Sequence, residues 1–320
     1  MKILFVHSGN SKRYPVSPFL RAQADSLRAE GVEIVFFPVV GKGLGYLRNV
    51  KPLRKTIRST RPDVVHAHYA LCGWVAVLAR GRRPIVLSLM GDDAQGTFTG
   101  PDRRTLSSWF FIALTRLIQP FVDAIIYKSP DLGKALWRRR IGHLLPNGVR
   151  LEQFHADLDG AGKDLGFDRS KKHVLFLGDP SDLNKNVTLV RDAVKLLGRD
   201  DVELHTPHGT DHDTVVKLMN GADVLALCSF GEGSPNVIKE AMACNCPIVS
   251  VPAGDAECVI GETEGCFITG YEPRSFAGGL ERALAFNGRT RGRERIISLK
   301  LDAKSTARKL ITIYQRTSRN

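Results

Sequence analysis

Phe230-Gly-Glu-Gly-Ser-Pro-Asn-Val-Ile-Lys-Glu-Ala-Met-Ala-Cys-Asn-Cys-Pro-Ile-Val249 decides how this chain folds. It follows the apolar run Val224-Leu-Ala-Leu-Cys228, which reads as a buried strand. Ser234 offers a side-chain oxygen as N-cap, and Pro235 suits the first helical position, where its missing N–H costs nothing. The helix runs to about Cys244, and Pro247 stops it before the next strand, Ile248-Val-Ser-Val251. The order is strand, loop, helix, strand, with glycine-flanked Glu232 in the loop and Glu240 on the helix.

N–H groups at a helix start favour an anion such as phosphate. Asn236 and Glu240 lie four apart, hence on one face. At ~1.5 Å per residue Glu240 sits ~6 Å along the axis, an offset that suits a diphosphate and its ribose. A carboxylate there accepts hydrogen bonds from both ribose hydroxyls. The bland alternative is that Glu240 is a solvated helix carboxylate and Glu232 a loop charge. Val237, Ile238, Ala241 and Met242 form the opposite, apolar stripe that packs on the sheet.

The segment resembles the Glu-x7-Glu signature of retaining glycosyltransferases of family 4, which have the GT-B fold. Its wording is most similar to the branch making surface polysaccharides, including teichuronic-acid-type transferases. The resemblance implies that Glu232 contacts the donor sugar and Glu240 the ribose of the sugar nucleotide. Ser234, Pro235 and Asn236 would then complete the donor-binding helix start.

Both halves of the chain open alike. Ile3-Leu-Phe-Val-His7 runs into Ser8-Gly9-Asn10, and Val174-Leu-Phe-Leu177 runs into Gly178-Asp-Pro180. Gly9 and Gly178 would let backbone approach a nucleotide closely, although neither is a full Gly-x-Gly-x-x-Gly. Lys185, in Asp182-Leu-Asn-Lys-Asn186, fits the family's diphosphate lysine; the place of the usual arginine is held by Asp179. The competing reading of Lys185 is an exposed loop lysine.

Asp63-Val-Val-His-Ala-His68 ends a strand in two histidines at alternate positions, which point the same way. They lack a third ligand, and no paired aspartates or histidine cluster elsewhere suggests a metal. His68 is assigned to the cleft or acceptor side and His66 to the core. In Leu89-Met90-Gly91-Asp92-Asp93, Met90 stands where many family members have a histidine, so no histidine base is assigned. Asp92 and Asp93 bind acceptor or donor hydroxyls, or cap the following turn. Gly254-Asp255 resembles the family's Gly-Gly loop and is expected to line the cleft.

Apolar residues alternate with helical patterns throughout. Strands are expected at 32–39, 64–66, 85–90, 124–127 and 143–145, then near 174, 202, 224, 248 and 266. Helices are expected from Ser17-Pro18, over 46–60, and near 187, 212, 235 and 274. That rhythm predicts an α/β fold with parallel, doubly wound sheets; the resemblance makes it GT-B, two Rossmann-like domains facing a cleft. Pro146-Asn-Gly-Val149 places the boundary near 150. Residues 1–150 form an acceptor-side domain, 151–305 a nucleotide-sugar domain, and the terminal helix, 306–320, packs back on the first.

The 320 residues suffice for two cores. Hydrophobic residues at 43% and charged ones at 25% exclude disorder, and no apolar run reaches the ~18–20 residues of a membrane helix. Six scattered cysteines read as buried free thiols in a reducing cytosol. A net charge of +13 implies an anionic partner. Arg48, Lys51, Lys55 and Arg58 share one helical stripe, which is either a solvated face or a contact with anionic membrane.

The function expected is transfer of a sugar from a UDP- or GDP-sugar to a lipid-linked or saccharide acceptor. Glu232 and Lys185 are the catalytic pair, with no cofactor and no metal. The location is cytoplasmic, peripheral on the inner membrane face if the basic helix docks. A non-hydrolysing sugar-nucleotide epimerase would also use two nucleotide folds, but no acid–base set around a sugar ring stands out. A basic nucleic-acid-binding protein is the non-catalytic alternative. Its arginines would be clustered in a recognition motif, and here they are spread over many elements.

Overall fold

The structure, a computed structural model, describes residues 1–11, 14–101, 103–157, 165–168 and 170–319. They divide into two units: Met1–Thr97 with Thr105–Gly148 and Ala303–Asn320, and Phe98–Arg104 with Val149–Asp302. Asn320, the last residue of the expected terminal helix, lies outside the described residues, as do 158–164 and 169 of the second expected domain.

The first unit holds six parallel strands: β1 Lys2–Ser8, β2 Glu33–Val39, β3 Val64–His68, β4 Ile85–Ser88, β5 Ala124–Tyr127 and β6 Gly142–Leu144. Their order is β2-β1-β3-β4-β5-β6. Between them run α1 Pro18–Ala29, α2 Val50–Thr60, α3 Ala70–Ala79, α4 Asp92–Gln95, α5 Ser107–Leu117 and α6 Pro130–Gly133. Alternate residues of β1 serve opposite faces. Ile3 and Phe5 join one buried cluster, Leu4 and Val6 the other. A parallel sheet covered on both sides needs this run of unbroken apolar residues.

The second unit has β7 Lys172–Phe176, β8 Val202–His205, β9 Val224–Leu227, β10 Ile248–Ser250 and β11 Cys266–Ile268, in the order β11-β10-β9-β7-β8. Its helices are α7 Val187–Leu197, α8 His212–Gly221, α9 Asn236–Ala243, α10 Ala256–Ile260, α11 Pro273–Ala285 and α12 Gly292–Ser298. Every ladder is parallel. The chain then returns to the first unit as α13, Ala303–Arg319, which packs on α1 and buries Tyr314. The Tyr314 hydroxyl lies 2.6 Å from His66 Nδ1, and His66 Nε2 lies 2.8 Å from Ser88 Oγ. His66 is thus a fully partnered core side chain, its pKa held well down by burial and by nearby Lys128.

Several local expectations are corrected. Pro18 opens α1, but the Ser17 side chain makes no capping bond. The helix expected from residue 46 begins as a 3-10 turn over Gly43–Asn49. Asn49 explains the delay: its amide bonds Val40 and Tyr46 carbonyls and accepts from Val40 N–H. Five cysteines are buried and all six are free, but Cys258 is exposed. The segment 98–104, inside the first half of the sequence, belongs to the second unit.

Candidate active site

In the second unit β7 ends beside Gly178, and the chain turns through Asp182–Asn186 into α7. Asp179 does not face Lys185: its carboxylate accepts from the backbone and hydroxyl of Ser181, which hold its pKa down. Lys185 Nζ instead donates to Glu232 Oε1 at 2.6 Å, a partly buried ion pair. The two charged residues singled out in sequence, 47 positions apart, therefore meet. A Cβ on Gly178 would sit 3.4 Å from Lys185 Cγ and 3.2 Å from the Phe176 ring. The glycine leaves room for the lysine stem.

Asn184, which the sequence reading passed over, is what brings the loops together. Its amide donates to the Gly231 carbonyl at 2.9 Å and accepts from Gly231 N–H at 3.0 Å. Its own carbonyl takes the Phe230 N–H. A side chain that copies a backbone ladder in this way fixes the Glu232 loop against the Lys185 turn. Phe98 lies over Gly231, where a Cβ would overlap the ring at 2.2 Å, so only glycine fits.

The start of α9 differs from the expected cap. Pro235 occupies the N-cap position, the helix begins at Asn236, and no side-chain oxygen caps it. Ser234 is buried and engaged elsewhere: its hydroxyl donates to Asp255 Oδ2 at 2.7 Å and accepts from Lys239 Nζ. Lys239 and Asp255, both buried, are 3.8 Å apart. Burial lowers the lysine pKa, and Asp255 opposes that. Gly254-Asp255 is thus a structural brace rather than lining. Gly254, at φ +63°, would bring a Cβ within 2.9 Å of the Glu232 and Gly233 carbonyls. Sequence periodicity put Lys239 on no face of interest, because nothing local signals that its counter-charge lies 16 residues on.

Glu240, four residues past Asn236 on α9, is half-buried. Burial pushes its pKa up to about 7, against the pull of Lys239 and Arg150. A carboxyl in that state is balanced between ionised and neutral forms near physiological pH.

The first unit carries a separate cavity of about 580 Å³, lined by His7, Ser8, Tyr46, His68, Tyr69 and Asp92 among others. His68 is buried against Phe5 and His66, and its pKa is held well down by burial, then by His66, Lys128 and His7. His7 Nδ1 donates to the Ser8 carbonyl at 3.0 Å, which leaves Nε2 as acceptor. His7 Nε2 and His68 Nε2 are both buried and have no hydrogen-bond partner among the described residues. Tyr69 holds a strained φ of +85°, and such strain gathers at functional sites.

Asp92 is exposed on that cavity, but Asp93 is not a ligand group. It is fully buried and accepts from the N–H groups of Met90, Gly91 and Ala70, tying the turn after β4 to α3. Burial outweighs those bonds and lifts its pKa to about 6. Gly9 does not line the cavity as described; a Cβ there would meet Pro38 at 2.7 Å, so β2 packing alone demands glycine.

Sequence reading found no histidine cluster, yet folding assembles one. His173, Glu203 and His205 place their ligand atoms within 4.8 Å of one another, an arrangement able to hold a metal ion. His173 Nδ1 and His205 Nε2 are already paired at 2.9 Å, and His173 Nε2 bonds the Asp168 carbonyl. His173 lies at the start of β7, next after Lys172, whereas Gly178 follows its end, so this group is not part of the Lys185–Glu232 site.

Two parallel doubly wound sheets, with charged side chains gathered past the ends of β7 and β9, define a GT-B protein. The family models agree. Glycosyltransferase Family 4 matches residues 10–153, and Glycosyl transferases group 1 matches 168–285. The chain belongs to the family 4, group 1 glycosyltransferases. It is 25% identical over 275 residues to the D-inositol 3-phosphate glycosyltransferase of Mycobacterium bovis, covering 72% of this chain. It spans only 56% of that relative's length.

Among solved structures, sucrose-phosphate synthase from Thermosynechococcus elongatus superposes with a TM-score of 0.78 at 16% identity, covering 98% of both chains. Anabaena HepE in complex with UDP and glucose gives 0.75 at 17% identity, covering 99% of this chain and 100% of that one. At such identities the likeness is one of fold.

Proposed function

We propose that this chain is a retaining glycosyltransferase moving a sugar from a nucleoside diphosphate sugar to a lipid-linked or saccharide acceptor, in surface-polysaccharide synthesis. The observation that carries the reading is the Lys185–Glu232 pair at 2.6 Å, held next to Gly178 and leading into α9. The 151–305 portion takes the donor and the 1–150 portion the acceptor. When a diphosphate departs, negative charge grows on its oxygens. Lys185 and the first turn of α9 stabilise that charge, and the freed Glu232 carboxylate accepts hydrogen bonds from the sugar. Glu240 accepts from the ribose hydroxyls. The Nε2 atoms of His7 and His68, which have no partner among the described residues, receive acceptor hydroxyls in the first-unit cavity together with Asp92. HepE, a protein of like fold, is solved with UDP and glucose, so UDP is the first nucleotide to test. Titration calorimetry with UDP, GDP and ADP should show one nucleoside diphosphate binding in competition with its sugar. Binding of none would overturn the proposal.

Glu240→Gln is expected to act on binding and stability with opposite signs. Loss of a charge-assisted pair to ribose weakens the nucleotide by ~1.5–3 kcal/mol, roughly ten- to a hundred-and-fifty-fold. The raised pKa means the folded chain holds a proton there that the unfolded chain has released. Stability therefore falls as pH rises from the ordinary value of 4.5 to about 7, and the penalty persists above that. Glutamine removes it, adding on the order of 3 kcal/mol at pH 8 in the unliganded protein. Urea unfolding at pH 5 and pH 8 checks this. Equal responses of wild type and variant would show that Glu240 is not held above its ordinary range.

Positive charge from Lys185 and α9 makes the reaction independent of divalent metal. Turnover is expected to survive chelation by EDTA. A strict requirement for Mg²⁺ or Mn²⁺ would assign leaving-group stabilisation to the ion.

A further inference from the structure

Helix α5 leaves one apolar stripe in the open. Its small polar residues Ser108 and Thr115 are buried, Ser108 Oγ accepting from Thr97 N–H at 2.9 Å and Thr115 Oγ donating to the Asp93 carbonyl. Phe111, Ile112 and Leu114 are half-buried, but the other large apolar residues face outward. Leu106 just before it is 91% exposed, Trp109 63%, Phe110 62% and Leu117 61%, and Ala113 is exposed between them. Spaced i, i+3, i+4, i+7 and i+11, they form one continuous stripe about 16 Å long at ~1.5 Å per residue. Scattered exposed apolar residues are ordinary on a protein, but a contiguous stripe with two aromatics is not.

The stripe has a basic surround. Trp137, also exposed, donates its indole N–H to the Arg116 carbonyl at the end of α5, Arg138 bonds the Gln119 carbonyl just past it, and exposed Arg139 and Arg140 follow in the chain. No Asp or Glu occurs between residues 103 and 122. Among the described residues, the first acids after α5, Asp123 and Asp131, are paired with Arg80 and Lys134. On the other side α5 contacts α3 through Trp74, whose N–H bonds the Leu114 carbonyl, and α3 contacts α2 through Arg54, bonded to the carbonyl of exposed Leu78. The exposed residues of α2 include Lys51, Arg54, Lys55 and Arg58, so the basic stripe read from sequence gains Arg54, on a helix that α3 links to α5.

We propose that this face seats the first unit on an anionic lipid bilayer, with α5 lying in the interface plane and Trp109 and Phe110 inserted among the acyl chains. Aromatic and leucine side chains rimmed by arginine match the two layers of such a surface, apolar below and negatively charged at the headgroups. A second copy of the chain fits less well, because each carries a net charge of +13 and would bring like charge against this rim. The α2 stripe alone would give binding that salt abolishes. Insertion of α5 gives a component that salt does not screen.

Co-sedimentation of the full chain with phosphatidylglycerol–phosphatidylcholine vesicles tests this without reference to catalysis. The wild type is expected to bind and to keep part of its binding at high salt. The double variant Trp109→Ser/Phe110→Ser should partition on the order of a hundredfold less. Nucleoside diphosphate affinity is measured alongside, so a wrong catalytic reading would leave the vesicle result standing. Quenching of wild-type tryptophan emission by brominated phosphatidylglycerol gives a second reading that needs no variant. Equal partition of wild type and variant, or no quenching, overturns the proposal. So does a wild type that ignores vesicles but self-associates, becoming monomeric with the same two substitutions.

Discussion

Asp255→Ala is expected to lower unfolding stability by about 3–5 kcal/mol, the largest effect of any single substitution considered for this chain. Asp255 and Lys239 are both buried, 3.8 Å apart, and share the Ser234 hydroxyl. Removing the aspartate leaves an ammonium in the core without its counter-charge. Lys239→Met/Asp255→Ala should recover much of the loss, since an apolar pair in the same space needs no compensation. The pH dependence has a definite sign. Burial lowers the lysine pKa below its ordinary 10.5, so the unfolded chain binds more protons and stability rises with pH across that window. The single variant should therefore regain stability as pH climbs towards 10.5. Urea unfolding of both variants decides it; an additive double variant would show that the two residues do not interact.

Lys185→Ala is expected to reduce kcat about a hundredfold or more, equivalent to ~3 kcal/mol of barrier, with a smaller change in nucleoside binding. Asp179 is turned to Ser181, so Lys185 is the cation that accompanies Gly178 at the end of β7. The substitution also strips Glu232 of its ion-pair partner. Steady-state rates with the cognate sugar nucleotide make the test. A kcat near wild type would mean that another cation, or the α9 start alone, neutralises the leaving group.

The alternation of apolar runs with helical patterns was readable because each element's own residues enforce it. β9, α9 and β10 fall where Val224–Cys228, the Gly-Ser-Pro turn and Ile248–Val251 place them. Glu232 and Glu240 stood out by their place in one strand–loop–helix unit, and the family resemblance implied their roles. Boundaries were less legible where a side chain overrode the local pattern, as Asn49 does in delaying α2.

By itself, then, the sequence determined the α/β architecture and its glycosyltransferase family, since strand and helix periods and a short motif are local properties of the chain. Tertiary structure alone decided which distant groups meet and which face of a helix is covered. Ser234 became a bridge to Lys239 and Asp255 rather than a cap, because a buried charge nearby binds its hydroxyl more strongly than an N–H would. Asp93 proved to be a turn brace, and His173, Glu203 and His205 converged from two strands. Most of all, α5 shows that periodicity marks two faces of a helix without saying which one faces inward. That choice belongs to the neighbours it packs against, and here they bury Ser108 and Thr115 and leave Trp109 in the open.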